Sequence, residues 1–345
     1  MPHSDDINSG GGAGGFDDLG ESDRNIVDDE GIEDEGSTLT PAEVIDAIVD
    51  ESQSVPYNDL PALSSADNET ATALLAMWPR VSAPRRREVL ASFQRLADED
   101  STLDFDRAHL TALYDPDAAT RILAIRGLWE QEREDVMQLL TGVLRGDAES
   151  NVRAEAAGAL GQFVLSMEFG LLTEDAAEHL SESLRNALDD STEEDEVRAR
   201  ALEALGASSE EWVAEMIAEH YESGTSRLRL ATIRAMGRNA SDDWLPILIH
   251  NFDDDDAETR AAAATSAGQL LLDSAVEPLA LLVDDTDEEV QVAAIRALGE
   301  IAGEAAEAVL VGLLGREEHL AEAARHALAE ARLLALDPGE DAERE

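Results

Sequence analysis

Small apolar residues recur along the chain in a fixed relation to an arginine and a glycine. The clearest copy is the segment 152–161, Val-Arg-Ala-Glu-Ala-Ala-Gly-Ala-Leu-Gly, in which Gly161 follows Arg153 by eight residues. The residues that correspond to Arg153 fall at positions 121, 153, 198, 229, 260, 291 and 321. Most of the intervals are about 31 residues, and a period of 20–50 residues is typical of a solenoid or another repeat array.

Each copy predicts two helices. In the copy at 276–299, a short apolar helix is followed by an Asp-rich turn at 284–287, because Asp side chains hydrogen-bond the local backbone. Apolar residues then recur at three- and four-residue steps, which indicates one face of a second helix. Gly299 is predicted to cap that helix in the left-handed conformation. One helix pair cannot bury its apolar face alone, so the fold class is an all-α solenoid of stacked antiparallel pairs.

The Asp of the turn, the Val-Arg pair and the final Ala-Leu-Gly resemble the HEAT repeat, in particular the short HEAT-like repeats first associated with phycobilin lyases. The resemblance covers roughly 100–336 and implies a ladder of Asp and Arg side chains between adjacent units. The candidate ladder residues are Asp115 with Arg121, Asp147 with Arg153, Asp254 with Arg260, and the arginines Arg198 and Arg229. Gln and Ala replace Arg at 291 and 321, so the ladder is incomplete toward the C-terminus. Such repeats serve many unrelated functions.

The chain divides into four regions. Residues 1–37 are rich in Gly and acidic residues and are predicted to form a disordered tail. Residues 38–100 are predicted to form a divergent helical cap, which begins at a capping box of Thr40 and Glu43. Residues 101–336 hold the repeats, and one interval of 45 residues is lengthened within 162–174 and 189–196. Residues 337–345 form a short acidic tail.

The charge balance is strongly acidic. The sequence has 77 acidic and 25 basic residues, all of the latter Arg, for a formal net charge of −52. Such self-repulsion is tolerated where salt screens it, so we predict a cytoplasmic protein of a salt-accumulating haloarchaeon. Phosphate binding needs a basic surface, which argues against a nucleic acid as partner. No stretch approaches 18 consecutive apolar residues, so no membrane span is predicted.

No residue pattern indicates catalysis. The chain has no Cys, and its seven His do not fall at matching positions of successive copies. We therefore expect no metal, no cofactor and no catalytic residue, and we expect the His to be exposed or half-buried. The acidic runs at 253–256 and 284–287 lack the ligand spacing of an EF-hand loop. The prediction is that the protein is not an enzyme. The alternative, which the resemblance alone suggests, is a lyase-type or di-metal enzyme subunit acting on a modified protein or pigment.

A local group of arginines is the candidate binding site. Residues 223–241 contain no Asp or Glu, yet Arg227, Arg234 and Arg238 fall within about 40° of each other on one side of a second helix. Arg126 and Arg296 take the position of Arg234 in other copies. These residues either pair with acidic residues of neighbouring repeats or bind an acidic partner. In the resembling family the second helices line the concave surface. We therefore predict a scaffold or adaptor that binds another protein there.

Overall fold

Helices are the only regular secondary structure in the described part of the chain. The computed structural model describes residues 39–334, which contain eighteen α-helices and no β-strand. The helices of the N-terminal part are α1 (Pro41–Val49), α2 (Asn68–Met77) and α3 (Ala83–Glu99). The central helices are α4 (Asp106–Ala112), α5 (Ala118–Arg126), α6 (Glu134–Gly146), α7 (Ser150–Ala159), α8 (Gly161–Glu168), α9 (Glu174–Asp189), α10 (Asp195–Leu205), α11 (Glu211–Ser223) and α12 (Ser226–Asn239). The C-terminal helices are α13 (Leu245–His250), α14 (Ala257–Gln269), α15 (Val276–Leu282), α16 (Glu288–Ile301), α17 (Gly303–Leu313) and α18 (Glu318–Leu334). The predicted all-α solenoid is confirmed.

The helices alternate between two roles. The first helices are α4, α6, α9, α11, α13, α15 and α17, and the second helices are α5, α7, α10, α12, α14, α16 and α18. Each second helix packs against its own first helix and against the second helices before and after it. Helix α3 packs against α5 and continues this row toward the N-terminus. The exposed sides of the second helices together form what we call the second-helix surface.

The region before the repeats starts at a well-capped helix. The side chain of Thr40 accepts a hydrogen bond from the Glu43 amide at 3.4 Å, and Glu43 accepts one from the Thr40 amide at 2.9 Å. The predicted capping box is therefore present, with Pro41 at the first helical position. The tails predicted at 1–37 and 337–345 lie outside the described residues.

A glycine near the end of the second helix sets the distance to the next repeat. Gly299 lies inside α16 with ordinary helical geometry, so the prediction that it caps the helix is wrong. A Cβ at Gly268 would lie 2.7 Å from the Cα of Ala297, and one at Gly299 would lie 2.8 Å from the Cβ of Ala327. Only a residue without a side chain lets these helices approach so closely. Gly206 and Gly237 hold the same position in the preceding repeats.

The chain leaves the second helix three residues after this glycine. Ala240, Leu271 and Ala302 have φ angles of 55°, 55° and 54°, in the left-handed region that residues with a side chain seldom adopt. The turn to the next first helix thus falls on non-glycine residues, while the glycine is used for helix packing.

The long interval in the middle of the chain contains an additional helix. Helix α8 follows α7 directly, and α9 extends over 16 residues. Glu168 fixes the end of α8, since its carboxylate accepts hydrogen bonds from the hydroxyls of Ser208 and Ser209 at 2.8 and 2.5 Å.

Candidate binding surface on the second helices

Arginines at the start of the second helices join each repeat to the next. Arg121 donates from Nε and Nη2 to the two carboxylate oxygens of Asp147, both at 2.7 Å, and from Nη1 to the backbone carbonyl of Asp115 at 2.7 Å. Arg260 repeats the arrangement with the carboxylate of Asp285 at 2.8 Å and the carbonyl of Asp254 at 2.8 Å. Each guanidinium is thus held bidentately across one repeat boundary.

The expected pairing within one copy therefore needs a correction. For the pairs Asp115–Arg121, Asp147–Arg153 and Asp254–Arg260, the Asp offers Arg only its backbone carbonyl. Its carboxylate instead accepts the amide two residues later, as Asp147 does from Glu149 at 3.0 Å, and faces the arginine of the preceding repeat where one is in reach. This geometry leaves the carboxylate free to cross the repeat boundary.

Two ladder arginines, Arg153 and Arg198, depart from this arrangement. Arg153 reaches Glu193 at 2.6 and 2.8 Å, because the long interval moves an acidic turn into the place of Asp. Arg198 contacts its own repeat, namely the carbonyl of Leu188 at 2.9 Å and Asp195 at 3.3 Å. The following turn carries Ser223 where the copies at 121, 153, 260 and 291 have Asp, so no carboxylate of that position pairs with Arg198.

The ladder weakens and changes toward the C-terminus. Arg229 lies 3.7 Å from Asp254, contacts Asn251 at 3.3 Å and has its guanidinium 5.1 Å from the ring centre of Tyr221. At the next boundary but one, Gln291 donates to the carbonyl of Asp285 at 2.7 Å, as arginine does elsewhere.

Sequence reasoning missed one ladder arginine. Arg86 is buried in α3, lies 2.7 Å from the Asp115 carboxylate and donates to the carbonyl of Val81 at 2.6 Å. The signal was weak because Arg86 precedes Arg121 by 35 residues and lacks the Ala-Leu-Gly ending. Of its two arginine neighbours, Arg85 donates to the carbonyls of Ile48 and Ala47, and Arg87 pairs with Asp117.

Hydrogen bonds from arginine also adjust the acidity of the ladder carboxyls. The bonds from Arg260 hold the pKa of Asp285 below its usual value, and those from Arg153 do the same for Glu193. A carboxyl whose pKa is lowered by folding stabilises the folded state at every pH above its unfolded-state pKa. This stabilisation is lost as the pH falls through the folded-state pKa. The carboxylates of Asp285 and Glu193 are therefore charged throughout the neutral range.

The three candidate arginines of α12, Arg227, Arg234 and Arg238, all contact the preceding repeat. Arg227 forms an ion pair with Glu196. Arg234 bridges Glu203 at 3.2 Å and Glu258 at 3.0 Å, linking three successive repeats. Glu203 is buried at 5% exposure, and Arg200 also lies 3.4 Å from its carboxylate. Internal pairing, the first of the two alternatives, therefore accounts for Arg227 and Arg234.

The remaining candidate arginines differ among themselves. Arg126 makes a bidentate pair with Glu155, both bonds at 2.9 Å. Arg238 is exposed and donates to the backbone carbonyl of Glu203 at 3.3 Å, but no carboxylate of the described residues lies within ion-pair distance of it. Arg296 is also exposed and makes no ion pair or hydrogen bond with the described residues. Arg238 and Arg296 are thus the two candidate arginines without a carboxylate partner among the described residues.

Two cavities, each of about 370 Å³, lie on either side of Trp129 and Arg126. The basic cavity opens between α5, α7, α10 and α12, and Arg126, Arg200 and Arg238 line it together with Glu155 and Glu203. Trp129 is 63% exposed and borders it. Among the described residues, this is the one place where an exposed Trp lies beside a candidate arginine of α12, namely Arg238.

The acidic cavity lies between α3, α4 and α5. Asp98, Asp104 and Asp106 line it, and burial, with Asp104 nearby, raises the pKa of Asp106 to about 6. His109 is 3% exposed, which corrects the expectation of exposed or half-buried histidines. Its Nδ1 has no hydrogen-bond partner, and burial lowers its pKa to about 4. The ring fills the space beside Gly127, where a Cβ would lie 2.1 Å from it.

Two classes of feature are not found in the described part of the chain. Residues 39–334 contain no group of three or more His, Cys, Asp or Glu that could hold a metal ion. No helix in the same range is long and apolar enough to cross a membrane.

The chain is similar to several known proteins. The model of HEAT repeats matches residues 107–194, 181–268 and 245–331. The complex of CpcE and CpcF of phycocyanin lyase from Nostoc sp. is 17% identical, with coverage of 79% of this chain and 97% of that one and a TM-score of 0.47. Human deoxyhypusine hydroxylase is 18% identical, with coverages of 85% and 97% and a TM-score of 0.33. YibA of Escherichia coli is 18% identical, with coverages of 69% and 96% and a TM-score of 0.41. A search of curated protein sequences finds no significant match.

These comparisons correct one prediction and establish the family. The prediction that the protein is not an enzyme is contradicted, because a lyase and a hydroxylase are among the solved structures that match the chain. The family model covers residues 107–331, well over half of the sequence, without a break. The chain belongs to the HEAT repeat family.

Proposed function

We propose that this protein binds another protein along its second-helix surface and acts as a scaffold or adaptor in a salt-rich cytoplasm. The observation that carries the proposal is the basic cavity. It brings an exposed Trp and an arginine without a carboxylate partner to one place on a chain of net charge −52. Aromatic and arginine side chains are the residues that most often contribute strongly to protein interfaces.

The internal ion pairs determine how the proposal is tested. Replacing Arg234 by Glu would bring a third carboxylate beside Glu203 and Glu258 and would destabilise the repeat itself. Neutral substitutions avoid this repulsion. The test variant is therefore the triple substitution Arg227→Gln, Arg234→Gln and Arg238→Gln.

The assay is an affinity pull-down from native lysate in molar KCl, followed by titration of each enriched protein in purified form. The matched control carries Arg→Gln at three exposed positions of first helices or their turns, Arg145, Arg185 and Arg316. We expect a protein that the wild type and the control retain and that the test variant binds at least tenfold more weakly. Equal binding by all three proteins would show that Arg227, Arg234 and Arg238 are not part of the interface. Enrichment of no protein would remove the scaffold function.

A further inference from the structure

The contact between α5 and α7 departs from the rule that the later repeats follow. Eight residues after the ladder arginine, those repeats place a glycine against the next second helix. The repeat of α5 places Trp129 there, and its indole is 63% exposed. Ala159, at the position that meets the glycine elsewhere, lines the basic cavity instead of closing it.

The floor of this cavity is formed by a residue without a side chain, Gly158. Gly158 takes the position that Arg234 takes in α12. A Cβ at Gly158 would meet only the Cδ of Arg200, at 3.8 Å. The glycine is therefore not needed for close helix packing, unlike Gly206 or Gly268. Its effect is to leave room for about one aromatic side chain beside Trp129.

The charges around the opening are not balanced. Arg126 is neutralised by Glu155, and Arg200 lies 3.4 Å from both Glu196 and Glu203. Arg238 extends to the start of α8, where its Nη1 would lie 3.3 Å from a Cβ on Gly161, and its only polar contact among the described residues is a backbone carbonyl. Because Arg238 has no carboxylate partner, its guanidinium can still donate two hydrogen bonds to a carboxylate of a ligand.

We propose that the cavity between α5 and α7 is a peptide-binding site for a partner segment in which an aromatic side chain lies next to carboxylates. The aromatic ring stacks on Trp129 over Gly158, and a carboxylate pairs with Arg238. The other two arginines of the cavity, Arg126 and Arg200, are already paired with carboxylates, so Arg238 determines where the carboxylate of the segment docks. This inference rests on the proposed function and specifies the chemistry of the partner.

The probe is the peptide acetyl-Asp-Asp-Phe-Asp-Asp-amide, titrated by calorimetry into the full chain in about 1 M KCl. We expect a Kd of about 0.1–1 mM, corresponding to roughly 4–5.5 kcal/mol. The same peptide should change the fluorescence of Trp129, because Trp78 and Trp244 are buried and Trp212 is half-buried against Arg185. Peptides with Ser in place of Phe, or with Lys in place of Asp, should bind at least fivefold more weakly.

Matched variants place the peptide on the surface. Arg238→Gln and Gly158→Leu should each weaken binding at least fivefold, the first by removing the charge and the second by filling the floor. Arg296→Gln is the control, since Arg296 is an exposed second-helix arginine without an ion pair, outside the cavity. Circular dichroism of each variant confirms that the fold is retained.

The outcomes separate this site from the wider proposal. Equal binding of the Phe and Ser peptides, equal loss in Arg238→Gln and Arg296→Gln, or no saturable signal up to about 5 mM peptide would each overturn the peptide site. If the peptide fails to bind while the α12 triple variant still loses its partner in the pull-down, the scaffold function stands without this cavity. If both fail, the second-helix surface is not an interface.

Discussion

Replacing Gly268 by Ala puts a methyl group into a close contact between two second helices. The new Cβ would lie 2.7 Å from both the Cα and the Cβ of Ala297 in α16. Non-bonded carbon atoms are at their optimum at about 3.5–4.0 Å. The obstacle is backbone, which cannot rotate away, so α14 and α16 must separate by about 1 Å.

Two opposing effects determine the free energy of unfolding. Ala is favoured over Gly within a helix by about 1 kcal/mol. Overpacking a close contact costs about 1–3 kcal/mol, and the upper end applies because the separation also loosens the neighbouring contacts of α14 and α16. We therefore expect Gly268→Ala to lower the free energy of unfolding by about 2 kcal/mol, despite the more favourable helix propensity.

Gly142→Ala is the matched control. Gly142 lies inside α6, and nothing lies within 4 Å of a Cβ at this position. Only the propensity gain of about 1 kcal/mol remains. Urea unfolding in about 3 M KCl, followed by circular dichroism, should thus separate the two variants by about 3 kcal/mol. If Gly268→Ala is as stable as Gly142→Ala, the glycine does not set the distance between the second helices.

Three other predictions follow from the ladder, the turns and the charge. Arg260→Met leaves the carboxylate of Asp285 without its cross-repeat partner and should cost about 2–3 kcal/mol. Arg325→Met, in an exposed pair with Glu318 at 2.9 Å, should cost less than about 0.5 kcal/mol in the same urea assay. Ala302→Gly relieves a backbone with φ 54° and ψ −154°, which costs a residue with a side chain about 1–3 kcal/mol, and should raise the thermal midpoint even after the entropy cost of glycine. Below about 0.5 M salt the charge of −52 is poorly screened and the helices should melt; full helical circular dichroism at about 50 mM salt would contradict the salt-adapted interpretation.

The repeat and its two helices could be predicted because apolar spacing and period are local properties of the sequence. The function of the glycine could not. A glycine after an apolar helix is consistent with a left-handed cap and with a close helix contact, and Gly299 shows that the second applies. The positive φ instead falls on Ala302, whose ψ of −154° is not that of a left-handed cap.

The ladder was predicted one repeat out of register for a related reason. In a periodic sequence, Arg121 lies six residues after Asp115 and 26 residues before Asp147, and Arg260 lies six residues after Asp254 and 25 residues before Asp285. Spacing alone therefore cannot decide which Asp supplies the carboxylate. The fold decides it, because the near Asp turns its backbone carbonyl to Arg121 and the Asp of the next repeat presents its carboxylate. The signal for the basic cavity was present in the sequence, since Trp129 stands at the position of a repeat glycine.

A binding site on so acidic a protein requires two conditions that arise separately. The first is an arginine that the many carboxylates have not neutralised, and Arg238 and Arg296 both meet it. The second is an opening between second helices. Arg296 fails there, because Gly268 and Gly299 close the contacts of α16 with α14 and α18. At Arg238 the opening exists, since Trp129 replaces the closing glycine of α5. The ladder pair Arg121–Asp147 and the pair Arg126–Glu155 hold the same boundary together at either side of the opening. At this boundary, side-chain ion pairs thus replace the close backbone contact between second helices. The unpaired guanidinium of Arg238 lies at the same place.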